Sequence, residues 1–120
     1  MALILVVDDS SFARKLTSGM VTDLGHEAVQ AEDGEQCLKL LSEKKPECII
    51  MDLLMPGKNG KEILEEIRSS GNNVPVIIQT ADVQESVLKS CVDSGADGVV
   101  TKPFDSEKLS TKLSEVLARS

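Results

Sequence analysis

The chain has 120 residues, 41% of them hydrophobic, and 13 Lys+Arg against 20 Asp+Glu give a formal net charge of −7. That length suits one domain able to bury a core without disulfide or metal staples. The acidic balance and the lack of Trp and Tyr, with Phe12 and Phe104 the two aromatics, argue against direct nucleic-acid binding, which needs clustered cations and stacking rings.

Leu3 to Val7 is a continuous apolar run, the pattern of a strand covered on both faces. It has no basic residues ahead of it and meets Asp8 at once, so no signal peptide is expected. Ser10 or Ser11 is placed to cap a helix in which Phe12, Leu16, Met20 and Leu24 recur at every fourth position before Gly25 ends it. Glu27 to Ala31 reads as a shorter, more polar strand. Asp33 and Gln36 form a capping box before a helix with Cys37, Leu38 and Leu41 on its apolar face, closed by Pro46. A third strand, Cys48 to Met51, ends at Asp52. After a loop with Pro56, Gly57 and Gly60 comes a helix with Ile63 and Ile67 on one face, stopped by Gly71-Asn72-Asn73.

Pro75 opens a fourth strand, Val76 to Gln79. Asp82 and Glu85 read as a second capping box, and Val83, Val87, Leu88, Cys91 and Val92 follow helical spacing up to Gly95. Gly98 to Thr101 is the fifth strand. Asp105 caps a last helix that buries Leu109, Leu113, Val116 and Leu117 and runs almost to Ser120. Cys37, Cys48 and Cys91 have no C-x-x-C spacing and are expected as reduced core residues, and His26 as a solvated loop residue. No apolar run approaches the roughly 20 residues of a membrane span. A soluble, cytoplasmic protein without membrane contact is expected.

Strands alternating with helices in this way predict an α/β fold, a mainly parallel sheet covered on both faces and linked by right-handed crossovers. With no repeat, low-complexity tract or linker, residues 1–120 read as a single domain. Ligands of open parallel sheets bind beyond the carboxyl ends of the strands. The residues there are Asp8 and Asp9, then Asp52, then Thr80 and Ala81, then Lys102-Pro103.

Each has an ordinary structural role open to it: acids at a helix start, a turn residue before Pro56, a strand-end threonine, a surface lysine. Together they place three carboxylates, a hydroxyl and an ammonium on one edge. Three converging carboxylates repel unless a cation sits among them, and a hard divalent ion such as Mg²⁺ meets that need. One carboxylate can then attack a phosphoryl group, with Lys102 and Thr80 placed to stabilise its oxygens.

Val6-Val7-Asp8-Asp9-Ser10, Asp52-Leu53-Leu54-Met55-Pro56 with Gly60, Thr80-Ala81, Gly95-Ala96-Asp97 and Thr101-Lys102-Pro103-Phe104 resemble the motif set of the response-regulator receiver domain. Any one of these motifs is weak, but the ordered set at successive strand ends is highly specific and spans nearly the whole chain. The resemblance implies a CheY-like, flavodoxin-like five-stranded sheet of order 2-1-3-4-5, a topology carried over from the family. It implies that Asp52 is the phosphoacceptor. By the same resemblance Asp9, Asp52 and the backbone carbonyl of Leu54 bind Mg²⁺ directly, Asp8 reaches it through water, and Lys102 pairs with Asp52 or its phosphate. Thr80 moves toward the phosphoryl group, and small Ala81 lets the loop approach.

The implied partners are a histidine kinase or phosphotransfer protein, and a downstream effector or attached output domain. Either a monomer or a phosphorylation-dependent dimer fits. Val99 stands where the family commonly carries a switch aromatic, and Leu54 and Asp82 occupy positions that bear on phosphoryl lifetime. Three rival readings are weaker. A haloacid-dehalogenase-type phosphatase wants a second Asp where Leu54 stands. A flavin module would have its cofactor phosphate repelled by Asp8 and Asp9. A pseudo-receiver scaffold would not need every site residue in place.

Overall fold

The structure, a computed structural model, describes residues 1–119; Ser120, and with it the end of the expected 1–120 domain, lies outside the described residues. In chain order the elements are β1 (Leu3–Val7), α1 (Ser11–Asp23), β2 (Glu27–Ala31), α2 (Gly34–Lys44), β3 (Cys48–Asp52), α3 (Gly60–Ser69), β4 (Val76–Thr80), α4 (Glu85–Asp93), β5 (Gly98–Thr101) and α5 (Ser106–Arg119). The strands form one sheet of order β2-β1-β3-β4-β5, every pairing parallel. Asp52 is in register with Gln79, and Thr80 with Thr101, so the strand ends come level at one edge.

The apolar runs of β1, β3 and β4 divide between two cores because successive strand side chains point to opposite faces. Leu5, Val7, Ile49, Met51 and Ile78 pack with Cys37, Leu41, Ile63, Leu64, Ile67 and Cys91 beneath α2, α3 and α4. Ile4, Val6, Ile50 and Ile77 pack on the other face with Val21 of α1 and Leu109, Leu113 and Val116 of α5. Each such side chain contributes roughly 1.5–3 kcal/mol on burial. All three cysteines are free and buried.

Local chemistry sets the helix starts. Ser10 caps α1 by accepting from Ala13 N, and Asn59 with Glu62 forms a reciprocal capping box on α3. At α2 only half of the expected box forms: Asp33 accepts from Gln36 N, while the Gln36 amide turns back to Glu32 N. The expected Asp82–Glu85 box is absent. The Asp82 carboxylate closes an Asx turn on Gln84 N at 2.9 Å, and α4 begins at Glu85 without a side-chain cap. Val83 and Val92 are exposed, and α4 buries Cys91.

The every-fourth-residue stripe of α1 is also only partly a core face. Phe12 and Leu16 are 77% and 54% exposed, and the buried residues are Thr17, Ser18 and Val21. On a helix of 3.6 residues per turn a strict period of four drifts about 40° per repeat, so Phe12 and Leu24 lie roughly 120° apart and one face cannot hold both. His26 is half-buried rather than solvated, its Nδ1 accepting from Ala2 N at 3.0 Å and tying the α1–β2 turn to the start of β1.

Candidate functional site at the carboxyl edge of the sheet

Asp8 leaves β1 fully buried. Its backbone remains in the sheet, N–H donating to Ala31 O, and the Arg14 guanidinium donates to its carbonyl at 2.8 Å. Its Oδ1 accepts from Ser10 N at 3.0 Å. Its Oδ2 accepts from Gln79 Nε2 at 3.2 Å and from Lys102 Nζ at 3.4 Å. Asp52, the last residue of β3, is 7% exposed; Oδ1 accepts from Leu54 N at 3.3 Å and Oδ2 from Lys102 Nζ at 3.1 Å. Asp9 is exposed at the mouth, and oxygens of Asp8, Asp9 and Asp52 all lie within 4.8 Å of one another.

One ammonium therefore faces three carboxylates. At such separations each pair of ionised carboxylates repels by roughly 3 kcal/mol at an effective dielectric of 20. Burial pushes the Asp52 carboxyl above its ordinary range; the Lys102 ammonium opposes that shift and the Asp8 charge adds to it. The pocket thus holds more negative charge than Lys102 offsets. A hard cation accepting only oxygen ligands fits this donor set, with exposed Asp9 at its entrance.

Thr80 is buried at the end of β4, its Oγ1 accepting from Asp82 N at 3.0 Å. Among the described residues it makes no hydrogen bond to the carboxylates. Its hydroxyl proton remains free to donate. Ala81 is exposed beside it, the Leu54 side chain is 67% exposed, and Val99 is half-buried in β5. Asp82 Oδ1 accepts from Gln84 N in the loop that follows Thr80.

Gly60 abuts the end of β3. A Cβ there would run into the backbone carbonyl oxygen of Asp52, so only glycine lets α3 approach this closely. Sequence reasoning passed over Arg14 and Gln79. The signal for Gln79 was present, a lone amide closing the apolar run Val76-Ile77-Ile78; Arg14 carried none, since one arginine on an amphipathic helix is unremarkable.

The chain belongs to the response regulator receiver domain family, whose model matches residues 4–114. It is 34% identical over 114 residues to the chemotaxis protein CheY of Halobacterium salinarum, covering 95% of each chain. It is 32% identical over 117 residues to response regulator MprA of Mycolicibacterium vanbaalenii, covering 98% of this chain and 51% of that protein, so it spans about half the length of this relative. The receiver domain of Francisella response regulator 1452 superposes with a TM-score of 0.93 at 27% identity, covering 99% of this chain and 98% of that one.

Proposed function

We propose that residues 1–120 act as one receiver domain, a phosphoryl-accepting switch in two-component signalling with Asp52 as the acceptor. The observation that carries this reading is the Lys102 ammonium bridging Asp52 and Asp8 inside a pocket of three converging carboxylates. A carboxylate oxygen of Asp52 attacks phosphorus, the bond from phosphorus to the donor breaks, and its electron pair leaves with the donor group. The donor is a phosphohistidine of a kinase or phosphotransfer protein, or a small phosphodonor. Lys102 follows the new phosphoryl oxygens, the Thr80 hydroxyl turns its free proton toward them, and small Ala81 leaves room for that approach.

Asp9, Asp52 and the Leu54 carbonyl would hold Mg²⁺, with Asp8 behind them. When bound, the ion screens the approach of an anionic phosphoryl group to an anionic carboxylate. The domain assists its own modification and is not a turnover enzyme on an external substrate. Phosphorylation adds roughly −1.5 to −2 charges and shifts a conformational equilibrium read by an effector protein or an attached output domain. With Val99 in place of a large aromatic, the loop bearing Thr80 carries that shift. Among the described residues no helix is long and apolar enough to cross a membrane, and action in the cytoplasm without direct nucleic-acid contact follows from this reading, as a monomer or a phosphorylation-dependent dimer.

Intact-mass measurement after incubation with Mg²⁺ and a small phosphodonor tests it. The expected result is a gain of one phosphoryl group that disappears in Asp52→Asn and without metal. No gain in a folded wild-type chain would leave a scaffold in place of a switch.

A further inference from the structure

The residues Val76, Ile77 and Ile78 of β4 are apolar, as a strand covered on both faces requires, yet the next residue, Gln79, is fully buried at 0% exposure. Among the described residues it is the only buried side-chain amide. A buried amide costs stability unless both of its ends are bonded. One end is bonded: Nε2 donates to Asp8 Oδ2 at 3.2 Å across 71 residues of chain. The other end, Oε1, has no hydrogen-bond partner. An apolar side chain of equal length would suit that half of the site better, so what the amide contributes is its bond to Asp8.

Asp8 Oδ2 is also within 3.4 Å of Lys102 Nζ, which stands nearer to Asp52 Oδ2 at 3.1 Å. The single ammonium is shared between two carboxylates. A buried carboxylate that loses a donor draws harder on the cation that remains. An amide is suited to prevent this because it donates without charge: a cation in its place would repel an incoming metal ion, and an acid would repel Asp8.

We propose that Gln79 is a positioning residue for the acidic pocket, its amide orienting Asp8 toward a divalent cation and keeping Lys102 committed to Asp52. This rests on the receiver chemistry proposed above. Gln79→Met removes both polar atoms at similar length, and Gln79→Asn draws the amide back by one methylene. In both variants Mg²⁺ affinity, read by titration calorimetry on the unphosphorylated chain, falls roughly tenfold, as loss of a partner behind a metal ligand does. The Mg²⁺ half-saturation of phosphoryl uptake rises in parallel. In an Asp8→Asn background Gln79→Met has no further effect on Mg²⁺ affinity, because its route through Asp8 is gone.

Circular dichroism identifies a variant that does not fold, and the other then decides. Unchanged Mg²⁺ affinity in a folded variant, or an equal loss with Asp8→Asn already present, overturns the proposal. A wild-type chain that neither binds Mg²⁺ nor takes a phosphoryl group instead overturns the receiver chemistry, so the two failures are distinguishable.

Discussion

Both edges of the sheet join acids to a cation, but they are balanced differently. At the amino edge Arg68 reaches from α3 to Gly95 O, Asn72 O and Asp97 Oδ2 at 2.9–3.1 Å, and Asp97 Oδ2 also accepts from Val76 N at 2.9 Å. One cation and one acid share a fan of backbone partners there, which locks the end of α3 to the turn before β5. At the carboxyl edge one ammonium faces three carboxylates. The first arrangement is complete as it stands and serves stability. The second holds more acid than cation, the imbalance that the proposed Mg²⁺ would offset.

The most damaging way to break the carboxyl edge is Gly60→Ala, which drives a Cβ against the backbone oxygen of Asp52. It is expected to lower stability in urea by about 3 kcal/mol, the upper range for overpacking, and to slow phosphoryl uptake at Asp52. Arg68→Ala strikes the amino edge and leaves Gly95 O, Asn72 O and Asp97 without their shared donor. A loss of about 2 kcal/mol is expected, with Mg²⁺ affinity held within about twofold. If Mg²⁺ affinity followed stability down, the edges would not be independent and the contrast between them would be lost.

The carboxyl side of this contrast was legible in the sequence because it is written in residue types at strand ends, whereas the Arg68 pairing at the amino edge was not. Asp8, Asp9, Asp52 and Lys102 follow apolar runs whose length and period place them at one edge, and each of the five strands falls within one residue of the stretch read for it. Helix faces were less legible. The Phe12–Leu24 stripe shows a helix but not its rotation, which tertiary packing sets by burying Thr17, Ser18 and Val21. The Asp82 capping box failed because one carboxylate can serve a turn or a helix start, and the turn on Gln84 won. His26 bonds to a partner far away in sequence, so no local pattern announces it, and the lone amide of Gln79 in its apolar run stands out without showing that its partner is Asp8.

Asp52→Asn sharpens the comparison through pH. Burial holds the folded-state pKa of Asp52 above its unfolded value, so the folded chain binds that proton more tightly. The resulting stabilisation is full below the ordinary carboxylate range and is lost as pH rises through the raised folded-state pKa. The Asn variant has no such loss. Without metal, the two proteins melt together at about pH 3, and the variant gains a few degrees in Tm over wild type by neutral pH. Added Mg²⁺ reverses the order by stabilising the wild type preferentially. A wild type that melts higher than the variant at neutral pH without metal would mean that Lys102 already balances the pocket.

The smallest effect comes from a position that serves neither edge. Gly19 sits within α1 with no atom inside 4 Å of an added Cβ, so Gly19→Ala removes backbone freedom from the unfolded chain and meets nothing in the folded one. A gain of about 0.5–1 kcal/mol in urea denaturation is expected, with Mg²⁺ affinity and phosphoryl uptake unchanged. Because α1 starts three residues after Asp8 and carries Arg14 onto that residue's carbonyl, stiffening it also probes how far the site reaches along the helix. Unchanged chemistry confines that reach to the first turns of α1. A shift in Mg²⁺ affinity would extend the carboxyl edge into the body of the helix and make its imbalance a property of more than the strand ends.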